Sequence, residues 1–217
     1  MNQMEKSKRS IWLITLIILI TPFLAYALIR SYQTRFDKLP VFGQPKTNKN
    51  GITKPHLVDN FKLTNQDNEI FSSDQLNDKI VVFGFFFTSC PSVCPKMIKH
   101  IKNLQENLAR DTHVAFISIT VDPAHDDATR LKKYIEKNNI QTKNWSFLTG
   151  DKKEIYLLAR KSFFLSTIEG DGGEDDFIHS EQLVLVDTRR QIRGYYKGTD
   201  EQEVSQLEKD IKKLENE

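Results

Sequence analysis

An apolar segment followed directly by two cysteines constrains this chain more than any other feature. Residues 79–87 read KIVVFGFFF, and this β-branched and aromatic composition is typical of a central strand that is buried on both faces. Cys90 and Cys94 follow at once, and the sequence contains no other cysteine. Residues 97–108 repeat apolar side chains every three or four positions, which is typical of an amphipathic helix. The cysteines are therefore predicted to lie in a strand-to-helix turn, with Pro95 at an early helical position.

This position favours the thiolate form of the two cysteines. A helix N-terminus presents unpaired N–H groups and a partial positive charge, so we expect the pKa values of Cys90 and Cys94 to fall. Residues four apart lie on one side of a helical turn, so the two sulfur atoms can hold one metal ion or form a disulfide. Thioredoxin-type pairs have two intervening residues, and the wider gap here favours a metal. A structural disulfide and two unrelated core cysteines stay open as alternatives.

Length and composition exclude several classes of protein. The chain has 217 residues, which suggests one domain of ordinary size with additional segments. Its net charge of +2 gives no basic excess of the kind that nucleic-acid binding requires. Two cysteines are too few for a disulfide-framework protein. A folded, charged-surface domain is the class that remains.

The N-terminal region predicts attachment to a membrane. Residues 11–29 are uncharged and almost wholly apolar, and their length is close to the roughly 20 residues that a helix needs to cross a bilayer. Residues 1–10 include three basic side chains and are expected to stay in the cytoplasm as a short leader. Residues 30–54 contain several Pro, Gly and Asn residues and are predicted to be a linker. Residues 55–217 would then form the exported domain.

A cleaved signal peptide is the alternative to a retained anchor. The sequence Ala25-Tyr26-Ala27 fits the small-x-small pattern of a cleavage site, and Pro22 is well placed to end the apolar core. Both interpretations place the domain outside the cytoplasm.

The remaining pattern alternates strands with helices. Residues 57–71 are typical of a β-hairpin, and residues 113–121 are typical of a second buried strand. Strand–helix–strand alternation followed by an antiparallel pair predicts an α/β domain. The predicted fold is thioredoxin-like, with a mixed central sheet and an added N-terminal hairpin, preceded by one transmembrane helix. Its later elements are a helix at 127–138, a strand at 145–148, a helix from Asp151, strands at 182–186 and 192–196, and a helix from Asp200.

One of the five histidines is a candidate ligand. His179 follows an acidic, glycine-rich loop at residues 169–176 and begins a strand that should run beside the cysteine-bearing strand. It is predicted to be a third metal ligand, and a strand-edge histidine without a ligand role is the alternative. His125 is expected to be a solvated loop histidine, and His100 is expected to face solvent.

Two thiolates and one imidazole favour copper over zinc. Both ligand types suit either metal, but structural zinc sites usually take four protein ligands, whereas three satisfy Cu(I). The prolines argue in the same direction. Oxidoreductases of the thioredoxin fold carry a proline beside the redox pair, whereas this sequence has none after Pro123 and places Ile178-His179 there. A general disulfide reductase is therefore disfavoured.

Together these residues resemble the Sco/SenC family of copper chaperones for cytochrome c oxidase assembly. The resemblance covers about residues 55 to 214. The matching segments are Cys90-Pro-Ser-Val-Cys94-Pro95, Ile119-Thr-Val-Asp122-Pro123, Trp145-Ser-Phe-Leu-Thr-Gly150, His179-Ser180 before Leu183-Val-Leu-Val-Asp187, and Ile192-Arg-Gly-Tyr195. One departure is Ile178, because many members have aspartate immediately before the histidine.

The resemblance implies a membrane-anchored protein that binds one copper ion per chain through Cys90, Cys94 and His179. Such a protein would help to build the binuclear copper site of cytochrome c oxidase subunit II, by delivering copper, by reducing the cysteines of that site, or both. Another copper carrier is an expected partner, and no nucleic acid is expected. The implied location is the bacterial inner membrane, single-pass, with the domain in the periplasm, rather than the mitochondrial inner membrane.

Two other functions stay open. The same cysteine pair would serve an exported thiol–disulfide oxidoreductase, and a peroxidase or redox sensor would use Cys90 as its nucleophile. The leading interpretation is a copper chaperone that is not itself an enzyme.

Overall fold

The computed structural model describes residues 12, 16, 18–28, 38–47, 51, 53–109, 111–165 and 180–217. These belong to two compact units, Met1–Lys38 and Leu39–Glu217. In the first unit, residues 18–28 are helical. No helix within the described part of the chain combines the length and the apolar character that crossing a membrane requires. The predicted anchor at residues 11–29 lies partly outside the described residues. The whole predicted leader, residues 1–10, and about half of the predicted linker, residues 30–54, lie outside them too.

A mixed sheet forms the centre of the second unit. Its order is β4-β3-β7-β6-β5-β8-β9, and β1 pairs with β2 separately. The strands are β1 Lys46–Thr47, β2 Thr53–Lys54, β3 Lys62–Asn65, β4 Ile70–Ser72, β5 Ile80–Phe86, β6 Val114–Thr120, β7 Trp145–Thr149, β8 Gln182–Val186 and β9 Ile192–Lys197. The helices are α1 Val93–Asn107, α2 Ala128–Lys137, α3 Lys152–Leu157 and α4 Glu201–Leu214, with a 3-10 turn at Ser73–Leu76 and a π-helical turn at Leu158–Ser162.

Strand β5 lies at the centre of this sheet. It pairs in parallel with β6 and antiparallel with β8, and all its residues are buried. Alternate side chains point to opposite faces, so Val82 and Phe86 join one core cluster while Phe83 and Phe85 join the other. The predicted central strand buried on both faces is confirmed.

The helices cover the two faces unequally. Apolar side chains of α1, α2 and α4 fill the cluster on the Phe86 face, whereas α3 and the β3–β4 hairpin fill the opposite cluster. Three helices begin at aspartate caps, because the side chains of Asp127, Asp151 and Asp200 accept hydrogen bonds from backbone N–H groups in the first turn. The predicted α/β fold with a mixed sheet and an N-terminal hairpin is confirmed.

A buried arginine joins the two ends of the second unit. Arg193 is 5% exposed and donates hydrogen bonds to Asp187 at 2.9 Å and to Glu217 at 2.7 Å. Its remaining N–H groups donate to the carbonyl oxygens of Leu39 at 2.7 Å and Pro40 at 3.1 Å. The compact unit therefore begins at Leu39, within the stretch that the sequence predicts as a linker.

The chain enters this unit at the end of the sheet opposite the cysteines. The backbone N–H of Phe42 donates to the carbonyl oxygen of Ile192 at 2.8 Å, at the start of β9. Ile192 is level with Val186, which in turn pairs with Val81 near the start of β5. The cysteine turn follows Phe86, five residues further along, which corresponds to roughly 17 Å.

Replacing Arg193 with alanine should destabilise the fold strongly. The substitution leaves the carboxylates of Asp187 and Glu217 without their buried cation, and such a loss costs about 3 kcal/mol of unfolding free energy. Denaturation in guanidinium chloride measures this change. The matched control is Lys212→Ala, which removes an exposed ion pair with Glu208 and should shift the midpoint much less. Equal shifts for the two variants would contradict the inference that the buried ion pairs of Arg193 stabilise the fold more than an exposed ion pair does.

Candidate metal centre

Both cysteines lie where a strand passes into a helix. Strand β5 ends at Phe86, Cys90 lies in the turn, and Cys94 is the second residue of α1. Both thiols are free. The N–H of Cys94 donates to Sγ of Cys90 at 3.4 Å, and the N–H of Cys90 donates to the carbonyl oxygen of Phe87 at 3.3 Å. The predicted strand-to-helix turn, with Pro95 in the first helical turn, is confirmed.

The two thiols differ in acidity. Partial burial acts to raise the pKa of Cys90, but hydrogen bonds from the backbone N–H groups of Cys94, Ser92 and Val93 and from the thiol of Cys94 together outweigh it, and the pKa falls below its usual value. Burial raises the pKa of Cys94 to about 12, despite a hydrogen bond from the N–H of Phe87. The expectation that both pKa values fall is therefore confirmed for Cys90 and wrong for Cys94. The reason is that the side chain of Cys94 packs into the core under α1.

Both cysteines line a cavity of about 420 Å³ at the end of β5. Most of its walls are apolar, and its polar lining comes from Ser92, Ser180 and Glu181. An apolar wall excludes water and strengthens the interaction of a thiolate with a cation. The apolar and aromatic lining residues are Phe85, Phe86, Phe87, Pro91, Val93 and Val121.

His179 lies outside the described residues, but the chain next to it is well fixed. Ser180, its covalent neighbour, lines the same cavity as the cysteines. Glu181 holds this point of the chain, since its carbonyl oxygen accepts from the N–H of Gly198 at 2.7 Å and its carboxylate accepts from the hydroxyl of Thr199 at 2.5 Å. The predicted placement of this strand beside the cysteine-bearing strand is confirmed, because β8 pairs with β5. The role of His179 as a ligand stays a prediction.

Within the described ranges, no group of three or more His, Cys, Asp or Glu side chains is arranged to hold a metal ion. Three described histidines have protein partners instead. The ring of His125 is 79% exposed and its Nδ1 lies 2.9 Å from the carboxylate of Asp122, as expected for a solvated loop residue. Nδ1 of His100 lies 2.9 Å from the carbonyl oxygen of Gly198, so this side chain is half-buried and does not simply face solvent as expected.

His56, to which the sequence gives no role, is 2% exposed. Its Nε2 lies 2.8 Å from the carbonyl oxygen of Ser162. The ring also packs against Phe164, with centroids 4.6 Å apart. His56 therefore serves packing between the start of the domain and the π-helical turn.

A buried carboxylate beside the cysteine turn was not predicted. Asp126 is 1% exposed and accepts hydrogen bonds from the backbone N–H of Thr88 at 2.9 Å, the hydroxyl of Thr88 at 2.5 Å and the hydroxyl of Thr120 at 2.6 Å. In the sequence it is one of three aspartates between residues 122 and 127, and nothing there distinguishes it from its neighbours. Its burial is decided by the loop between β6 and α2, which turns it towards the end of β5.

Comparison with known proteins agrees with this geometry. The family model for SCO1/SenC matches residues 49–215. The chain belongs to the SCO1/SenC family. The SCO1 protein homolog of Bacillus subtilis is 33% identical over 157 residues, which cover 71% of this chain and 81% of that protein. A Stutzerimonas stutzeri protein named "Putative copper-binding protein" is 26% identical, covering 68% of this chain and 72% of its own length.

Solved structures of family members share the fold. The SCO1/SenC family lipoprotein of Bacillus anthracis superposes with a TM-score of 0.65 at 28% identity, covering 79% of this chain and 98% of the other. BsSco, described as a member of the Sco family of cytochrome c oxidase assembly proteins with a disulfide switch, gives a TM-score of 0.64 at 29% identity. The match covers 81% of this chain and 98% of BsSco. The fold predicted from the sequence is therefore that of the family.

The difference in acidity predicts selective alkylation of this SCO1/SenC protein. In the reduced, metal-free protein at pH 7.5, Cys90 should react with iodoacetamide at least about tenfold faster than Cys94, because its thiol is the more acidic and the more exposed of the two. Peptide mapping by mass spectrometry at short reaction times measures both rates. Unfolding in denaturant is the control and should make the rates similar. Faster reaction at Cys94 in the folded protein would show that the assignment is reversed.

Proposed function

We propose that this protein is a copper-binding chaperone that acts in cytochrome c oxidase assembly. The observation that carries the proposal is the pair of free thiols lining one cavity together with Ser180, the residue next to His179. The names of relatives point the same way, since one is called a copper-binding protein and another belongs to a family of oxidase assembly proteins.

The proposed ligands are Sγ of Cys90, Sγ of Cys94 and the imidazole of His179, with one copper ion per chain. His179 is covalently joined to Ser180, which lines the cavity. Consecutive Cα atoms are about 3.8 Å apart, so the proposed ligand is one residue away from the cavity lining. Two soft thiolates and one imidazole are a donor set that Cu(I) accepts in trigonal coordination. This set has no need of a fourth protein ligand.

The two thiols would act in sequence. Cys90 is half-exposed and is the more acidic of the pair, so it would capture the ion first. Cys94 is protonated until then, because burial raises its pKa to about 12, and it would lose its proton only as its sulfur binds the ion. Copper binding would therefore release protons, and affinity would rise with pH.

Oxidation of the pair would prevent binding. Forming the disulfide removes two electrons and two protons from the thiols and leaves no thiolate to hold the ion. The redox state of the pair would thus decide whether copper is held. The proposed target is the binuclear copper site of cytochrome c oxidase subunit II, through copper delivery, reduction of its cysteines, or both, and another copper carrier would supply the ion.

Copper titration under reducing, anaerobic conditions tests the ligand set. The reduced protein should bind about one Cu(I) per chain, and Cys90→Ser, Cys94→Ser and His179→Ala should each lower the affinity by at least about tenfold. A competing chromophoric chelator measures the affinity. His125→Ala is the matched control and should bind as the unaltered protein does, because that ring is exposed and pairs with Asp122. Unchanged affinity in His179→Ala would refute the three-ligand site.

The acidity difference also favours a second function, an exported thiol–disulfide oxidoreductase. A half-exposed acidic thiol beside a buried, less acidic one is the arrangement of an attacking and a resolving cysteine. The His179→Ala variant separates the two functions. An oxidoreductase would keep its turnover of a disulfide substrate after this change, whereas a copper chaperone would lose copper.

We also propose that residues 11–29 anchor the protein in the bacterial inner membrane, with the unit from Leu39 in the periplasm. The uncharged apolar stretch supports this, and the Bacillus anthracis relative is a lipoprotein. Sequencing of the mature N-terminus should find a start before residue 11 in protein that stays in the membrane pellet after a carbonate wash. A terminus at Leu28 would show instead that the segment is a cleaved signal peptide.

A further inference from the structure

The carboxylate of Asp126 ties three segments together at the cysteine turn. It is 1% exposed and belongs to the loop that precedes α2. Two of its hydrogen bonds come from the N–H and hydroxyl of Thr88, just after β5, and the third comes from the hydroxyl of Thr120 at the end of β6. Hydrogen bonds to a buried carboxylate are stronger than those between neutral groups, so this contact should hold Thr88 firmly.

Thr88 shares a peptide group with the residue that holds the backbone of Cys90. The carbonyl oxygen of Phe87 accepts from the N–H of Cys90 at 3.3 Å, and Sγ of Cys90 in turn accepts from the N–H of Cys94 at 3.4 Å. The N–H of that same peptide group, which belongs to Thr88, donates to Asp126. Asp126 therefore fixes the peptide group that holds Cys90 in the turn.

We propose that Asp126 is a positioning residue that fixes the peptide group between Phe87 and Thr88, holds Cys90 in the turn through it, and thereby sets the thiol–disulfide equilibrium of Cys90 and Cys94. It touches neither sulfur and acts through Thr88. The inference rests on the proposed function only in taking these two cysteines as the working thiols, and it holds whether they serve copper or a disulfide substrate.

The direction of the effect follows from the contacts. The hydrogen bond from the N–H of Cys90 to the carbonyl oxygen of Phe87 is present with both thiols reduced, so it stabilises the turn of the dithiol form. Loosening Thr88 should weaken this bond and favour the disulfide. The measurement equilibrates the metal-free protein with glutathione. In this reaction, one protein disulfide and two glutathione thiols are converted to one protein dithiol and one glutathione disulfide. Asp126→Ala should lower its equilibrium constant about tenfold, which is about 30 mV towards a more negative potential.

The variant Asp126→Asn separates positioning from charge. Asparagine keeps the shape, its amide oxygen still accepts from the N–H of Thr88, and its NH₂ group can donate to a threonine hydroxyl. If Asp126 acts by position, Asp126→Asn should restore a potential close to that of the unaltered protein. If it acts by repelling negative charge on the sulfurs, asparagine should instead raise the potential, because loss of a nearby anion stabilises thiolates.

Two further variants test whether a change in the potential merely reflects a general loss of stability. Asp187→Asn removes a buried carboxylate at the opposite end of the sheet and should lower stability without moving the potential. Thr88→Val removes the hydroxyl, and with it the hydrogen bond to Asp126 and the one accepted from Nε of Arg130 at 3.2 Å, but keeps the backbone N–H that donates to Asp126. It should shift the potential in the same direction as Asp126→Ala, by a smaller amount, and it also serves if Asp126→Ala does not fold.

An unchanged potential in Thr88→Val, or a shift in Asp187→Asn as large as that in Asp126→Ala, would overturn the proposal. The measurement needs no metal. A failure of copper binding would therefore leave the inference about Asp126 intact, and an unmoved potential would leave the copper site intact.

Discussion

The antiparallel pairing of β8 with β5 decides which parts of this protein meet. β5 leads into the cysteine turn, and β8 begins just after Ser180. Because the two strands are antiparallel neighbours, the carboxyl end of β5 lies beside the amino end of β8. Residues 90 and 180 are far apart in sequence yet line one cavity for this reason. If β8 were parallel to β5, its first residues would lie at the opposite end of the sheet, and Ser180 could not line the cavity of the cysteines.

The environment of the two thiols shows how a fold can give identical side chains different chemistry. Cys90 is partly buried in the turn and accepts hydrogen bonds from backbone N–H groups, whereas Cys94, one helical turn later, is buried under α1 by the same apolar contacts that hold the helix to the sheet. The helix N-terminus therefore acts on both sulfurs, but only at Cys94 does desolvation outweigh the hydrogen bonds. Two thiols of different acidity allow one to react as a thiolate while the other stays protonated until a metal ion or a disulfide reaches it.

Short-range patterns were readable from the sequence, and long-range polar contacts were not. The run at 79–87 identified the central strand because its length and composition leave few alternatives, and aspartate caps marked helix starts. The acidity of Cys94 was misjudged, since periodicity locates a helix more readily than it tells how deeply its first turn is buried. The contact of Arg193 with Leu39 joins residues 154 positions apart, and no local pattern encodes it. Asp126 looks like any loop aspartate until β5 and β6 are placed beside it.

Arg193 has a consequence for how the folded unit is approached. It gathers Leu39, Pro40 and Glu217 at one point, so both ends of this compact unit meet on the side remote from the sulfurs. Neither Leu39 nor Glu217 lines the cavity of the cysteines. A second protein that reaches the thiols would therefore have no need to displace either of these residues or to break the ion pairs of Arg193.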